Sequence, residues 1–201
     1  MLNKFDLLNK KKLNEAEKIE IYDYLFSSPI IIVNEGFIKA KNNKEAKKKA
    51  IEWMEKFGDK IIYRDDIGDV VFSRSGVKSS FEHRIYQNKL DALPAIPIVI
   101  EKGKVIDISN DFDGKPIKNT LITAPIQIGN KQKIMVIRLR MVKGQDNKYY
   151  LHDILIIKDL IKNKSNAIKA GSTGKPVGES SKSIAHIYNI VQDILSVKNN
   201  Q

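Results

Sequence analysis

The stretch that decides the fold runs from Asn119 to Lys158. It reads NTLITAPIQI (119–128), Gly129-Asn130, KQKIMVIRLRMV (131–142), KGQDN (143–147) and KYYLHDILIIK (148–158). In the middle segment Ile134, Val136, Ile137, Leu139 and Met141 are set against Lys133, Arg138 and Arg140. Such alternation belongs to strands with one buried face. Gly129-Asn130 is a hairpin signal, and Gly144-Gln145-Asp146-Asn147 is a second turn. Three consecutive strands therefore form an antiparallel meander. Arg138 and Arg140 share one face of it, solvent-facing or substrate-facing. Tyr150 and His152, two apart in a strand, are expected on a common face.

Helical patterns flank the meander. Asn14 and Glu17 have capping-box spacing, and Ile19, Tyr22 and Leu25-Phe26 follow at helical intervals until Pro29. A second helix fits Asn43 to Phe57, capped by Asn43, with Ala46, Ala50, Ile51, Met54 and Phe57 as its apolar stripe. Short strands are expected at 60–64 and 69–73 around Asp65-Asp66-Ile67-Gly68. Ser79 or Ser80 should open a helix over 81–92, and Pro94 and Pro97 set off a short piece over 93–101. Residues 162–181, with Gly171, Gly174, Pro176 and Gly178, read as a loop. The last helix, 181–197, carries Ile184, Ile187, Ile190-Val191 and Ile194-Leu195 on one face and should pack on the sheet. The fold class is α+β.

The 201 residues carry 35 Lys and Arg against 24 Asp and Glu, a formal charge of +11. The excess is +3 over 1–60, +5 over 61–150 and +3 over 151–201, so it is spread out. A polyanion such as RNA would meet a folded basic surface, not a basic tail. No cysteine is present, which excludes disulfides, thiolate metal sites and a cysteine nucleophile. The apolar runs, such as Ile96–Ile100 and Ile154–Ile157, fall far short of the roughly 20 residues of a membrane span. No signal peptide is visible at the start.

Gly171-Ser172-Thr173-Gly174-Lys175 lacks the hydroxyl residue a phosphate-binding P-loop places after lysine, since Pro176 stands there. Asp111 and Asp113 resemble the start of a calcium loop, but its twelfth position is Ile122. No metal or other cofactor is expected. The chemistry is left to the histidines. His83 follows Ser79-Ser80 at an expected helix start, where backbone N–H groups would favour phosphate. His152 lies beside Tyr150, and His186 lies beside the apolar stripe of the last helix. Metal-free RNA cleavage needs a base for the 2′-hydroxyl, an acid for the 5′-oxygen and cations for phosphate. Histidine suits the first two tasks, arginine and lysine the third.

The ordered segments IGDVVFSRSGVKSSFEHR (67–84), KLDALPAIPIVIEKGKVI (89–106), LITAPIQI (121–128) and KYYLHDILI (148–156) resemble a family of phage and mobile-element nucleases. These are the barnase, EndoU, colicin and RelE-like (BECR) domains found as polyvalent-protein or toxin modules. The resemblance implies N-terminal helices, an antiparallel sheet of about four strands and a C-terminal helix packed on the sheet. It divides the chain into a helical extension, 1–58, and a nuclease-like domain, 59–201.

It also implies a metal-independent endoribonuclease that leaves a cyclic phosphate. His83 and His152 would be the acid and base, with Arg84 on phosphate and Thr123 and Tyr150 giving hydrogen bonds. Ser79, Ser80, Lys89, Arg138, Arg140 and Ser181 would bind substrate. RNA is the expected partner, with an acidic immunity protein or antitoxin to block a basic cleft. The expected site of action is the cytoplasm, reached as part of a larger secreted or phage-encoded protein. The other reading is an inactive nucleic-acid- or protein-binding module of a phage-like polyprotein, because fold does not fix function.

Overall fold

The computed structural model describes residues 12–57, 60–72, 74–81, 87–110, 117–142, 148–157 and 179–197. Helix α1 (Glu15–Leu25) begins at the capping box read from the sequence. Asn14 Oδ1 accepts from the Glu17 amide and Glu17 Oε2 accepts from the Asn14 amide, each at 2.9 Å. Strand β1 (Ile32–Val33) follows, and then α2 (Asn43–Phe57). The cap of α2 is Asn42, not Asn43: its Oδ1 accepts from the Glu45 amide at 2.9 Å. Ala46, Ala50 and Met54, four apart, form its buried stripe.

Strands β2 (Lys60–Arg64) and β3 (Gly68–Phe72) form the expected hairpin. Helix α3 (Arg74–Ser80) and α4 (Gln87–Asp91) follow. A 3₁₀ turn (Leu93–Ala95) leads into α5 (Ile96–Lys102), with Pro94 and Pro97 in first turns, where a missing N–H costs nothing. Strands β4 (Lys104–Asn110), β5 (Ile117–Ile128), β6 (Lys131–Val142) and β7 (Tyr149–Ile157) precede α6 (Glu179–Ser196). The Asp111–Asp113 stretch, the 144–147 turn and residues 162–178 lie outside the described residues.

The β5–β6–β7 meander is present, with Gly129 at φ 56° in its first turn. The four-stranded antiparallel sheet is a correction. The sheet has seven strands and is mixed, in the order β1-β5-β6-β7-β3-β2, with β4 also paired to β5. One edge of β5 is shared between β4, antiparallel at 118–123, and β1, parallel at 127–128. Strand β3 joins β7 in parallel only at Tyr149 and Tyr150.

Both faces of the sheet are covered. Ile122, Ala124, Ile126, Met135, Ile137 and Leu139 pack on one side with residues of α2, α3 and α5. Leu121, Ile134 and Val136 pack on the other with Ile21 and Leu25 of α1 and Ile187, Val191 and Ile194 of α6. The last helix thus packs on the sheet as its spacing implied.

Of the expected helix at 81–92, Gln87–Asp91 is helical as α4, and residues 82–86 lie outside the described residues. Ser79 and Ser80 close α3; they do not open a helix. The end of a helix presents carbonyls, so Ser79 and Ser80 offer phosphate no helix-start amides. Gly76 lets α3 lie against β7. A Cβ there would stand 2.5 Å from Leu151 O and 2.8 Å from Leu151 Cβ. Gly76→Ala is therefore expected to lower stability by about 1–3 kcal/mol from overpacking, outweighing a helix-propensity gain of about 1 kcal/mol. A urea midpoint that rises for this variant would contradict the packing.

Candidate functional site

The face of the sheet under α6 carries two cross-strand rows of polar residues. In register, Asp107 of β4 lies opposite Leu121 of β5, which lies opposite Arg138 of β6, which lies opposite Asp153 of β7. The next row is Ser109, Asn119, Arg140 and Tyr150. Residues so paired are within side-chain reach of their neighbours.

Two irregularities produce this alignment. The register shifts between Val105 and Asp107 in β4 and between Leu151 and Asp153 in β7. The second makes His152 the extra residue, so that Asp153 takes the place opposite Arg138. Bulges often re-aim side chains beside functional sites. Neither was visible as alternation, because a bulge interrupts the period of two.

Asp153 joins two buried cations. Lys89 Nζ lies 3.2 Å from Asp153 Oδ1, and Arg138 Nη2 lies 3.2 Å from Asp153 Oδ2. Lys89 is 8% exposed and Arg138 6%. Lys89 Nζ also donates to Ser80 O, a carbonyl at the end of α3, where a cation complements the helix dipole. Its ammonium lies 5.3 Å from the centre of the Phe81 ring. Burial pushes the lysine pKa below 10.5, with Asp153 opposing and Arg138 adding to the shift. Burial likewise lowers Arg138, again opposed by Asp153.

The same arginine lines a hollow of about 10 Å³, room for about one water, with Asp107, Ser109, Asn119, Leu121, His186 and Ile187. His186 Nε2 stands 3.5 Å from Asp107 Oδ2. Burial raises the Asp107 pKa above 3.8, and the nearby His186 opposes the rise. Arg140 Nε donates to Asn119 Oδ1 at 3.2 Å, which fixes the amide and leaves Nδ2 as its other end.

The expected site residues are distributed as follows. Lys89, Ser80 and Arg138 come together around Asp153. Ser80 Oγ donates to Gly76 O at 2.9 Å and stands 3.4 Å from the main-chain oxygen of His152, so the backbone of His152 borders this cluster. Arg140 and Tyr150 are cross-strand neighbours in the adjoining row. Thr123 is apart. It is fully buried, lies opposite Val136 in a row that continues to Leu155, and donates to Met135 O at 3.1 Å.

Ser79 lies in the last turn of α3 and Ser181 in the first turns of α6. His83 and Arg84 lie outside the described residues. The residues missed were Asp107, Asn119 and Asp153, and His186 was passed over as a neighbour of a core stripe. Asp107 and Ser109 alternate with Ile106 and Ile108, the one signal that could have marked β4. Among the described residues no group of three or more His, Asp or Glu could hold a metal ion, and no helix is long and apolar enough to cross a membrane.

The fold is thus an α+β module with a polar strip across one face of its mixed sheet. The chain belongs to the large polyvalent protein-associated domain 3 family, whose model matches residues 41–150. That description places it among the modules of large polyvalent proteins and names no nuclease superfamily. The matched segment holds Lys89, Asp107, Asn119, Arg138 and Arg140, and it ends before Asp153 and His186. Searches of curated proteins and of solved structures give no match.

Asp153→Asn would leave two buried cations without an anion. Stability is expected to fall by about 3–5 kcal/mol, the usual cost of breaking a buried pair. An unchanged urea midpoint would contradict the cluster. A second outcome concerns alkaline pH. With the folded pKa of Lys89 below 10.5, the unfolded chain holds more protons between the two values, so this contribution makes stability rise with pH there. Lys89→Met is expected to flatten that rise, and an identical slope would refute the assignment.

Proposed function

We propose that this polyvalent-protein module is a metal-independent endoribonuclease, a toxin or mobile-element effector. The observation that carries the reading is the convergence of Lys89 and Arg138 on a single carboxylate, Asp153. Two cations and one anion leave a net positive cluster, fixed before any substrate arrives. Preorganised charge of this kind stabilises a phosphorane-like transition state better than mobile surface lysines. Arg140 flanks the cluster, and the overall charge of +11 draws polyanions to the surface.

In this reading His83 and His152 exchange protons with the 2′-hydroxyl and the leaving 5′-oxygen, and Arg84 holds phosphate. Tyr150, beside Arg140, contributes a hydrogen bond. Thr123 has no direct part, because its hydroxyl donates to a backbone carbonyl inside the sheet. An acidic immunity protein or antitoxin would cover the basic surface, and RNA is the substrate.

A second reading has its own support. Lys89 and Arg138 are buried and already paired within the chain, as in structural ion networks. That arrangement suits a non-catalytic binding module equally well. Incubation with total RNA in chelator separates the two. The nuclease reading expects fragments ending in a cyclic phosphate, reduced at least a hundredfold in rate by His83→Ala or His152→Ala, the usual scale of acid–base catalysis. Binding without cleavage would support the binding module. Equal cleavage by wild type and both variants would exclude the proposed roles.

A further inference from the structure

The sheet ends on one side in β2, which among the described residues pairs with β3 alone. The backbone N–H and C=O groups on the outer side of such a strand are a template for another. Folded proteins usually blunt an edge of this kind with proline, a bulge or charges along its length. This one reads Lys60-Ile61-Ile62-Tyr63-Arg64, with no proline and an unbroken register to β3. Ile61 is 54% exposed and Tyr63 64%, both on one face, while Ile62 is turned into the core. Ile61 also ends a cross-strand row, since it lies opposite Val71, which lies opposite Tyr150. Two large apolar side chains held out side by side on a regular edge mark a pairing surface.

The strand's own sequence selects the occupant. Lys60 opens it, and the exposed Asp65 and Asp66 follow it, so its charge is divided between its two ends. A polyanion would meet carboxylates at the second end. A second copy laid antiparallel brings opposite charges together at both ends. With a two-fold axis through Ile62, Ile61 of each copy stands opposite Tyr63 of the other. Aromatic and β-branched residues so paired stabilise a sheet. Lys60 then stands opposite Arg64, whose guanidinium is turned away onto Asp66 and the Ile100 carbonyl. The diagonal neighbour of Lys60 is Asp66 of the other copy, whose side chain is 47% exposed and within reach of a long side chain. We propose that β2 is the interface of a symmetric dimer, two copies of this chain joined edge to edge into one continuous sheet. The contact uses the same surface on both copies, so assembly stops at two. A ladder this short makes a small interface, and the dimer is weak and reversible.

The test is sedimentation equilibrium of the purified chain at concentrations from about 1 µM to about 1 mM. Wild type is expected to dimerise with a Kd of about 10–100 µM. Ile61→Lys and Tyr63→Glu, each alone, are expected to weaken association about tenfold or more, because each sets a charge against an apolar side chain twice. Both positions are exposed, so the fold of either variant is kept. Mixed in equal amounts, the two variants are expected to dimerise about as tightly as wild type. The two new charges then face each other at one pair, and the native Tyr63–Ile61 pair survives at the other. A wild type that stays monomeric at about 1 mM would overturn the proposal and leave this edge to a strand of another protein. A dimer that neither substitution weakens would overturn it too, as would one that both weaken and mixing does not restore.

Discussion

Two buried cations share one carboxylate, and much of the molecule is arranged around that constraint. Asp153 can meet Arg138 only because an extra residue, His152, shifts β7 by one place. Lys89 can reach Asp153 only because α3 and α4 lie along the part of β7 that β3 does not cover. Gly76 permits that approach, since any side chain there would strike Leu151. A helix end, a bulge, a short parallel pairing and a glycine thus serve a single electrostatic contact. Its low dielectric surroundings make the contact strong and make its loss costly.

The consequence is a polar strip on an otherwise apolar face. Rows beyond it, such as Thr123 with Val136 and Leu155, belong to the core under α1 and α6. Within it, Arg138 is bound at one end by Asp153 and left open at Nε, and Asn119 is bound by Arg140 and left open at Nδ2. The same ion pair that stabilises the sheet therefore orients groups toward the hollow.

The meander, the two amphipathic helices and the capping box were legible because each has a local period or a fixed spacing. The parallel joints were not. They arise from β1 and from β3 meeting strands far along the chain, which no local period records. Strand β4 escaped because its bulge puts Ile106 and Asp107, neighbours in sequence, on the same face and breaks the alternation. At the site, Lys89, Arg138, Arg140 and Tyr150 were selected by chemistry and fall in or beside the strip. Ser79 and Ser80 were selected for the start of a helix and lie at the end of one. Asp107, Asn119 and Asp153 were missed because their significance lies in cross-strand register, which depends on two bulges. The family assignment identifies a polyvalent-protein module over residues 41–150 and leaves the chemistry to these residues.

Asp153 holds Lys89 and Arg138 in one buried cluster. A double-mutant cycle of Lys89→Met and Asp153→Asn, read by urea unfolding, tests that contact most directly. The two substitutions are expected to be coupled by at least about 1 kcal/mol. Losses of stability that simply add would contradict it.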